Sequence, residues 1–328
     1  METSFTSGGG IAASIFGGRR VVHIEPRGRS NTSAVYAVTL DDGTRRAVKV
    51  LATSVDREQR DRFALEAAVL GDIVHPNVVR VDHVVTDSSG VRALVMPLLV
   101  GHTLRELLSN PAGPGPVAPE LARDLARGAA LGLAAIHDAG FVHRDVKPSN
   151  LFFGLDPDAP PSSDARGEGA PSAAPRRAGA RSMPSSPAGA RATAPTRPHA
   201  VVLDLGLARA RTGAGLQTTS SCWRGTVRYL APEQLLSGRV DVRTDVWALG
   251  VCLVESLTGQ PAFLDVAHDV FECDPVAAAL SGASCARVAP FANVLRRALA
   301  KRPTERFASA ADFAGALARV DLSAEALS

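Results

Sequence analysis

The sequence predicts an α+β fold in two lobes: a small antiparallel sheet carrying one main helix, then a larger, mostly helical body. Three observations carry this expectation. Short β-like runs separated by turn signals fill Val21 to Leu99. Helical periodicity takes over after Leu99, so strands and helices are segregated along the chain instead of alternating. The 328 residues, 45% of them apolar, suffice for one large domain or two lobes around a sizeable core.

In the first third, RRVVHIE, SAVYAVTL, RRAVKVL, VVRVDHVV and RALVMPLL read as strands, set apart by turn signals such as DDG at 41–43 and DSSG at 87–90. One helix interrupts them, from about Asp56 to Ile73. There Phe63, Glu66, Val69 and Leu70 recur at helical spacing while charged residues fill much of the other face. Beyond the sheet, Thr103 and Glu106 have capping-box spacing, in which Thr103 accepts from a first-turn N–H and Glu106 reaches back. Pro119 to Ala139 predicts an Ala- and Leu-rich helix ended by Gly140. Later helices are expected over about Val242–Leu257, Pro290–Ala300 and Ala308–Leu317.

Three segments fall outside this order. Residues 1–20, rich in Gly and Ser, are expected to be a loose tail, and 321–328 a second one. Leu155 to His199 is the third: of 45 residues, 30 are Pro, Ala, Ser or Gly, and none is aromatic. Such a segment cannot offset its ordering entropy by burial, so disorder is expected, as an insertion within the domain. Its six arginines against four acids give it a mildly basic character.

Charge and cysteine content exclude several classes. A formal net charge of +3 over this length makes no case for nucleic-acid binding. Cys222, Cys252, Cys273 and Cys285 form no CxxC pair and show no metal-ligand spacing with histidine, so free thiols in a reducing compartment are expected. No apolar run approaches the roughly 18–20 residues of a membrane span. The start, METSFTSGGG, lacks the basic-then-apolar order of a signal peptide. A cytoplasmic protein without a membrane span is the expectation.

The chemistry concentrates in HRDVKPSN at 143–150. Asp145 and Asn150 lie five apart with Lys147 between them. In a loop, that spacing can aim a carboxylate, an amide and an ammonium into one small volume. The carboxylate can take a proton from a hydroxyl, the amide oxygen can ligate a cation, and the ammonium can meet developing phosphoryl charge. Two further acidic positions support this. VVLDLG at 201–206 is an apolar strand ending in Asp204, suited to a magnesium ligand projecting into a cleft. AVKV at 47–50 places Lys49 inside an apolar strand, where it needs an anion, and Glu66 on the following helix is the natural candidate. Taken singly, Lys49 would read as a solvent-facing strand residue and the octet as an ordinary polar loop.

Together these motifs resemble the protein-kinase superfamily, specifically the bacterial serine/threonine kinases of eukaryotic type, over about Val21 to Leu317 apart from the insertion. The resemblance implies a bilobal kinase fold. Its N-lobe would cover about 21–96, the hinge 97–100 and the C-lobe 101–320. It implies that Lys49 holds the α- and β-phosphates of ATP with Glu66 as its partner. Asp145 would be the catalytic base, Lys147 would stabilise charge on the transferring group, and Asn150 and Asp204 would hold Mg²⁺ (or Mn²⁺). GTVRYLAPE at 225–233, with Thr226 and Glu233, resembles the substrate-docking loop. Asp245 and Arg306 match the residues that brace the catalytic loop and pair with Glu233. HPN at 75–77 matches the turn after the N-lobe helix. Leu70, Val81, His143 and Leu205 fall on the regulatory spine. Val35, Ala47 and Phe152 match the adenine sandwich, Met96 the gatekeeper, and Pro97 and Leu99 the hinge, where Pro97 offers only its carbonyl and Leu99 donates its N–H.

The glycine-rich loop departs from the family pattern GxGxxGxV. The aligned stretch is GRSNTSAV, so Gly28 remains while Ser30 and Ser33 stand where glycines are usual; Val35 ends the motif. Arg27 occupies a position that is usually apolar. Two alternatives to an active protein kinase stay open on these grounds: a pseudokinase acting as a nucleotide-binding scaffold, and a small-molecule phosphotransferase of the same fold. Arg144 precedes the base as in family members that order their activation loop with a phosphate, and Thr218 and Ser220 are the expected autophosphorylation sites. The expected partners are protein substrates and, transiently, a second copy of the chain for autophosphorylation.

Overall fold

The computed structural model describes residues 16, 18–30, 32–87, 90–109, 115–155, 198–205, 209–210, 227–236, 239–264 and 266–323. Its first five strands are β1 (Val21–Arg29), β2 (Ser33–Leu40), β3 (Arg45–Leu51), β4 (His83–Asp87) and β5 (Gly90–Pro97). They form one antiparallel sheet in the order β1-β2-β3-β5-β4. Side chains alternate across a strand, so the sheet has two apolar faces to cover. Leu51 and Leu94 turn toward Val55, Phe63 and Ala67, the last two on helix α1 (Arg57–Asp72). Val38, Leu40, Val48, Ala93 and Val95 form a cluster on the other face, and Phe16 lies over it. Phe16 is only 8% exposed. The expectation that 1–20 is a loose tail is therefore corrected at its end, because an aromatic ring finds an apolar face there. Arg19 adds an ion pair to Asp42.

Helix α1 begins where its sequence provides a cap. Asp56 accepts from the Gln59 N–H and the Gln59 side chain reaches back, a reciprocal pair that satisfies two end groups. Phe63, Glu66, Ala67, Val69 and Leu70 form its buried face. After β5 come β6 (Val100–Thr103), the short α2 (Leu104–Leu108) and the long α3 (Pro119–Asp138), then β7 (Phe141–Val142), β8 (Leu151–Leu155) and β9 (His199–Val202). A two-residue β10 (Arg209–Ala210) pairs with β7. β8 pairs antiparallel with β9, Leu151 opposite Val202 and Gly154 opposite His199. Leu155 and His199 thus belong to strands, which trims the expected insertion by one residue at each end. Its interior, 156–197, lies outside the described residues.

The helical body is built around α5 (Val242–Thr258), in which every residue from Thr244 to Leu257 is buried. A helix apolar on all sides belongs at the centre of a core. Packed with it are α3 and the later helices α6 (Val266–Glu272), α7 (Pro275–Leu280), α8 (Cys285–Val288), α9 (Ala292–Ala298) and α10 (Ala310–Ala318). Several elements depart from the sequence reading. VVRVDHVV yields an isolated bridge at Val78 and a strand only from His83, because Val79 bonds to Val202 instead of the sheet. The expected helix at Pro290 starts as a 3₁₀ turn over Ala289–Phe291. Ser309 caps α10, moving its start two residues on. Finally, α6, α7 and α8 are too short for periodicity to reveal.

Close approach of α3 to the turn before β4 requires glycine. A Cβ on Gly132 would lie 2.2 Å from the Asn77 carbonyl oxygen, and one on Gly128 would lie 2.8 Å from the Ala200 Cβ. Asn77 in turn bonds to β9, its O accepting from the Val202 N–H at 2.8 Å and its Nδ2 donating to the Ala200 O at 2.6 Å. Gly132→Ala should therefore destabilise the protein by about 1–3 kcal/mol through overpacking. The check is urea unfolding, read as a lower midpoint at unchanged slope. An unchanged midpoint would contradict the close contact.

Candidate active site

Strand β3 carries Lys49 on the face that α1 covers. Its Nζ donates to Glu66 Oε1 at 2.7 Å, to Glu66 Oε2 at 2.9 Å and to Asp204 Oδ1 at 2.9 Å. The Lys49 and Glu66 side chains are 9% and 2% exposed, so both charges are held out of water. Glu66 Oε1 also accepts from the Leu205 N–H at 3.3 Å, tying α1 to the segment after β9. Burial pulls the Lys49 pKa down, but Asp204 and Glu66 outweigh it and raise the pKa above the ordinary value. Burial, reinforced by Asp204, pushes Glu66 up to about 7 against the pull of Lys49.

The loop between β7 and β8 brings the other polar groups together. Asp145 Oδ2 accepts from Lys147 Nζ at 2.6 Å and from Asn150 Nδ2 at 3.3 Å, while Asn150 Nδ2 also donates to the Asp145 backbone oxygen at 2.9 Å. Asp145 Oδ1 is buried and has no hydrogen-bond partner among the described residues. A carboxylate fixed through one oxygen and open at the other is suited to accept a proton from an incoming hydroxyl. The Leu203 N–H donates to the Asn150 O at 2.8 Å, so the Asp204 segment and this loop share one frame.

Two backbone conformations in this frame are costly. Among the described residues, Arg144 at φ 65 and Asp204 at φ 55 are the non-glycine positions in the left-handed region. Each such residue costs on the order of 1–3 kcal/mol and persists only where its surroundings hold it. For Arg144 the holder is Asp245, fully buried in the first turn of α5. Its Oδ1 accepts from the Arg144 N–H at 2.8 Å, and its Oδ2 from the His143 N–H at 2.9 Å, with His137 Nε2 2.7 Å away. Burial works against the Asp245 charge, yet the hydrogen bond and charge of His137, with His143 and the Arg144 N–H, hold its pKa below the usual carboxylate range. For Asp204 the corresponding contact is Lys49.

The remaining sequence candidates are placed as follows. Gly28 lies in β1 opposite Val35 of β2. At the tip between these strands, Ser30 Oγ accepts from the Thr32 and Ser33 N–H groups at 3.3 and 3.0 Å and lies 3.2 Å from Ser33 Oγ. Ala47 faces Met96 across the β3–β5 pairing, and Arg46 faces Pro97. Val35, Ala47 and Phe152 are half-buried, whereas Met96 is buried. Pro97 ends β5 and Val100 begins β6, so the connection is Leu98 and Leu99 alone, shorter than the expected 97–100. Leu70, His143 and Leu205 are buried and Val81 is half-buried. Thr218, Ser220 and Thr226 lie outside the described residues.

Glu233, at the start of α4 (Pro232–Leu235), meets Arg306 in a two-pronged ion pair, Nη1 to Oε1 at 2.7 Å and Nη2 to Oε2 at 2.8 Å. The Arg306 side chain is 0% exposed and that of Glu233 9%. One set of contacts escaped the sequence reading: Tyr229 OH donates to Glu255 Oε2 at 2.6 Å and accepts from Arg105 Nη2 at 3.0 Å. Arg105 and Tyr229 are 124 positions apart, and no periodicity or motif links them. Burial, together with Glu255 and Cys252, raises the Tyr229 pKa above its ordinary value.

Comparison with known proteins agrees with this geometry. A family profile, the protein kinase domain, matches residues 23–160 and 193–311. The chain is 32% identical over 301 residues to serine/threonine-protein kinase Pkn1 of Myxococcus xanthus, covering 88% of this chain and 36% of that protein. It is 31% identical over 287 residues to serine/threonine-protein kinase PknB of Mycolicibacterium smegmatis, covering 84% of this chain and 38% of that one. The chain therefore spans less than two fifths of the length of these relatives. Among solved structures, the PknI kinase domain of Mycobacterium tuberculosis superposes with a TM-score of 0.59 at 21% identity. That match covers 93% of this chain and 97% of the other, and it is a likeness of fold.

The Glu233–Arg306 pair generates a stability test. Arg306→Ala leaves a buried carboxylate without its counter-charge and should cost about 3–5 kcal/mol. The double variant Glu233→Gln, Arg306→Ala should lose clearly less than the sum of the two single losses, because the orphaned charge is gone. Unfolding free energies of the four proteins give the coupling, and additive losses would count against a charged, desolvated pair.

Proposed function

The chain belongs to the protein kinase family, and on that premise we propose that it transfers the γ-phosphoryl group of ATP to serine or threonine hydroxyls of proteins in the cytoplasm. The observation that carries this reading is the joint arrangement of Lys49, Glu66 and Asp204 beside Asp145, Lys147 and Asn150. A chain that had lost phosphoryl transfer would be free to lose any of these six. The buried contacts instead hold them in one frame.

Asp145 orients the attacking hydroxyl and receives its proton at Oδ1, the oxygen left without a partner. The hydroxyl oxygen bonds to the γ-phosphorus as the bond to the bridging oxygen of ADP breaks. Lys147, held at Asp145 Oδ2, places its ammonium where charge develops on the transferring group. Lys49 binds the α- and β-phosphates, and Glu66 fixes its position. Asn150 and Asp204 are the residues suited to hold Mg²⁺ or Mn²⁺. The Asn150 amide nitrogen is spent on Asp145, which turns its carbonyl oxygen toward other uses, and Asp204 supplies a carboxylate. A metal held there would neutralise phosphate charge and align the nucleotide. Val35, Ala47, Phe152, Met96, Pro97 and Leu99 form the adenine site. Gly28, Ser30 and Ser33 cover the phosphates, the two serines offering hydroxyls where the family has glycines. Thr226 and Glu233 belong to the substrate loop. Arg144 receives phosphorylated Thr218 or Ser220 after transfer between two copies of the chain.

A nucleotide-binding scaffold without turnover is the second reading. The Ser30–Ser33 turn supports it, because Ser30 Oγ engages the Thr32 and Ser33 N–H groups and so weakens the hold on the phosphates that transfer requires.

Labelled γ-phosphate transfer to a generic protein acceptor, with Mg²⁺ or Mn²⁺, separates the two. Wild type should transfer label; Asp145→Asn should lose at least about 10²-fold in rate, the lower range for a missing acid or base, while binding nucleotide normally. Lys49→Met should lose transfer as well. Equal transfer by wild type and Asp145→Asn would overturn the kinase reading, and nucleotide binding without transfer by activated wild type would establish the scaffold. Phosphopeptide mapping of active protein should find phosphate on Thr218 or Ser220. Its absence from both would remove them as regulatory sites.

A further inference from the structure

Three donors of different chemistry converge at the end of α6, a place the kinase chemistry leaves unused. His268, Asp269 and Cys273 each offer one atom, and these atoms lie within 4.8 Å of one another. His268 Nδ1 is 3.4 Å from Asp269 Oδ1, and Cys273 Sγ is 3.5 Å from the same oxygen. Around a tetrahedral zinc ion with bonds of about 2.0–2.3 Å, neighbouring ligand atoms are about 3.3–3.8 Å apart. Both separations match the edges of that tetrahedron. We propose that His268, Asp269 and Cys273 bind zinc, with water completing the shell.

The donor set selects the ion. A thiolate and an imidazole favour zinc over magnesium, whose coordination is built from oxygen alone. The site is also oriented from behind. Asp269 Oδ2 accepts from the Leu264 N–H at 2.9 Å, which fixes the carboxylate and turns Oδ1 toward the other two donors. Lys301 Nζ donates to the carbonyl oxygens of Val270 and Cys273, both at 2.7 Å, holding the chain that carries the thiol. That lysine sits over the Trp247 and Phe263 rings, 5.5 and 5.7 Å from their centroids, so its position is anchored in the core. Helix geometry brings two of the three together, since Asp269 and Cys273 are four positions apart and stack on one face, and the His268 ring turns back to within 3.4 Å of the same carboxylate. Access is open, since the His268 side chain is 67% exposed and Cys273 is exposed. On binding, the thiol proton leaves to solvent, so affinity falls as pH is lowered. A bound ion joins residues 268–273 and, through Asp269, Leu264, which stiffens the connection between α5 and α7.

Cobalt titration of the reduced 328-residue chain, without nucleotide, tests this independently of catalysis. One equivalent of Co²⁺ should give a thiolate-to-cobalt charge-transfer band that Zn²⁺ removes and excess Mg²⁺ does not. Cys273→Ser should abolish the band, and His268→Ala should weaken binding by more than about tenfold. Both substitutions are on the surface, and circular dichroism checks that the fold is kept. Zinc should raise the Tm of the wild type and leave that of Cys273→Ser unchanged. Absence of the band at saturating cobalt overturns the proposal. So does a band that survives Cys273→Ser, which would place the ion on another cysteine.

Discussion

The geometry of the reaction site depends on one lysine taken out of water. Lys49 meets two carboxylates, Glu66 from α1 and Asp204 from the segment after β9, and these come from three separate parts of the chain. A desolvated charge of this kind is strongly unfavourable unless every partner is in place, and breaking one contact leaves the others exposed to the same penalty. The arrangement thus behaves as a unit. Displacement of α1 would withdraw Glu66, leave Lys49 to Asp204, and release the Leu205 N–H from its acceptor. The helix, the strand and the acidic segment are coupled through one ammonium group.

A second buried carboxylate does the equivalent for the catalytic loop. Asp245 is 0% exposed and belongs to a helix in which every residue from Thr244 to Leu257 is buried. It reaches out of the core to the backbone of His143 and Arg144, holding a φ of 65 that a side-chain-bearing residue avoids. The strained segment therefore stands on a rigid support, and Asp145, one residue later, inherits that rigidity. Asn150 then binds the loop to itself, and Leu203 binds it to the segment that presents Asp204. Precision at the site is supplied from the core outward.

Much of this was legible in the sequence, for identifiable reasons. α1 announced itself through the helical spacing of Phe63, Glu66, Val69 and Leu70, all four of which are buried. Lys49 stood out because a charge inside an apolar strand demands a counter-charge, and the spacing of Asp145, Lys147 and Asn150 is local enough for motif and geometry to coincide. What escaped was non-local or too short. Neither the Arg105–Tyr229–Glu255 contacts nor the burial of Phe16 follows from any pattern within a window of sequence. The helices between Gly259 and Val288 run only four to seven residues, below the length at which periodicity speaks. The cysteines were read as lacking any metal-ligand spacing with histidine. The structure brings Cys273 to His268 through Asp269, an arrangement that becomes visible only once a helix supplies the third dimension.

The placement of Phe16 bears on where this domain begins. Motif matching would start the fold near Val21, and a fragment cut there would retain every residue of the reaction site. Yet the cluster of Val38, Val48 and Val95 on the outer face of the sheet would then lose the aromatic ring that lies over it. An uncovered apolar face of that kind invites self-association. For a soluble fragment, the working boundary lies before Phe16: the limits of sequence homology and of physical autonomy are different lines on the same chain.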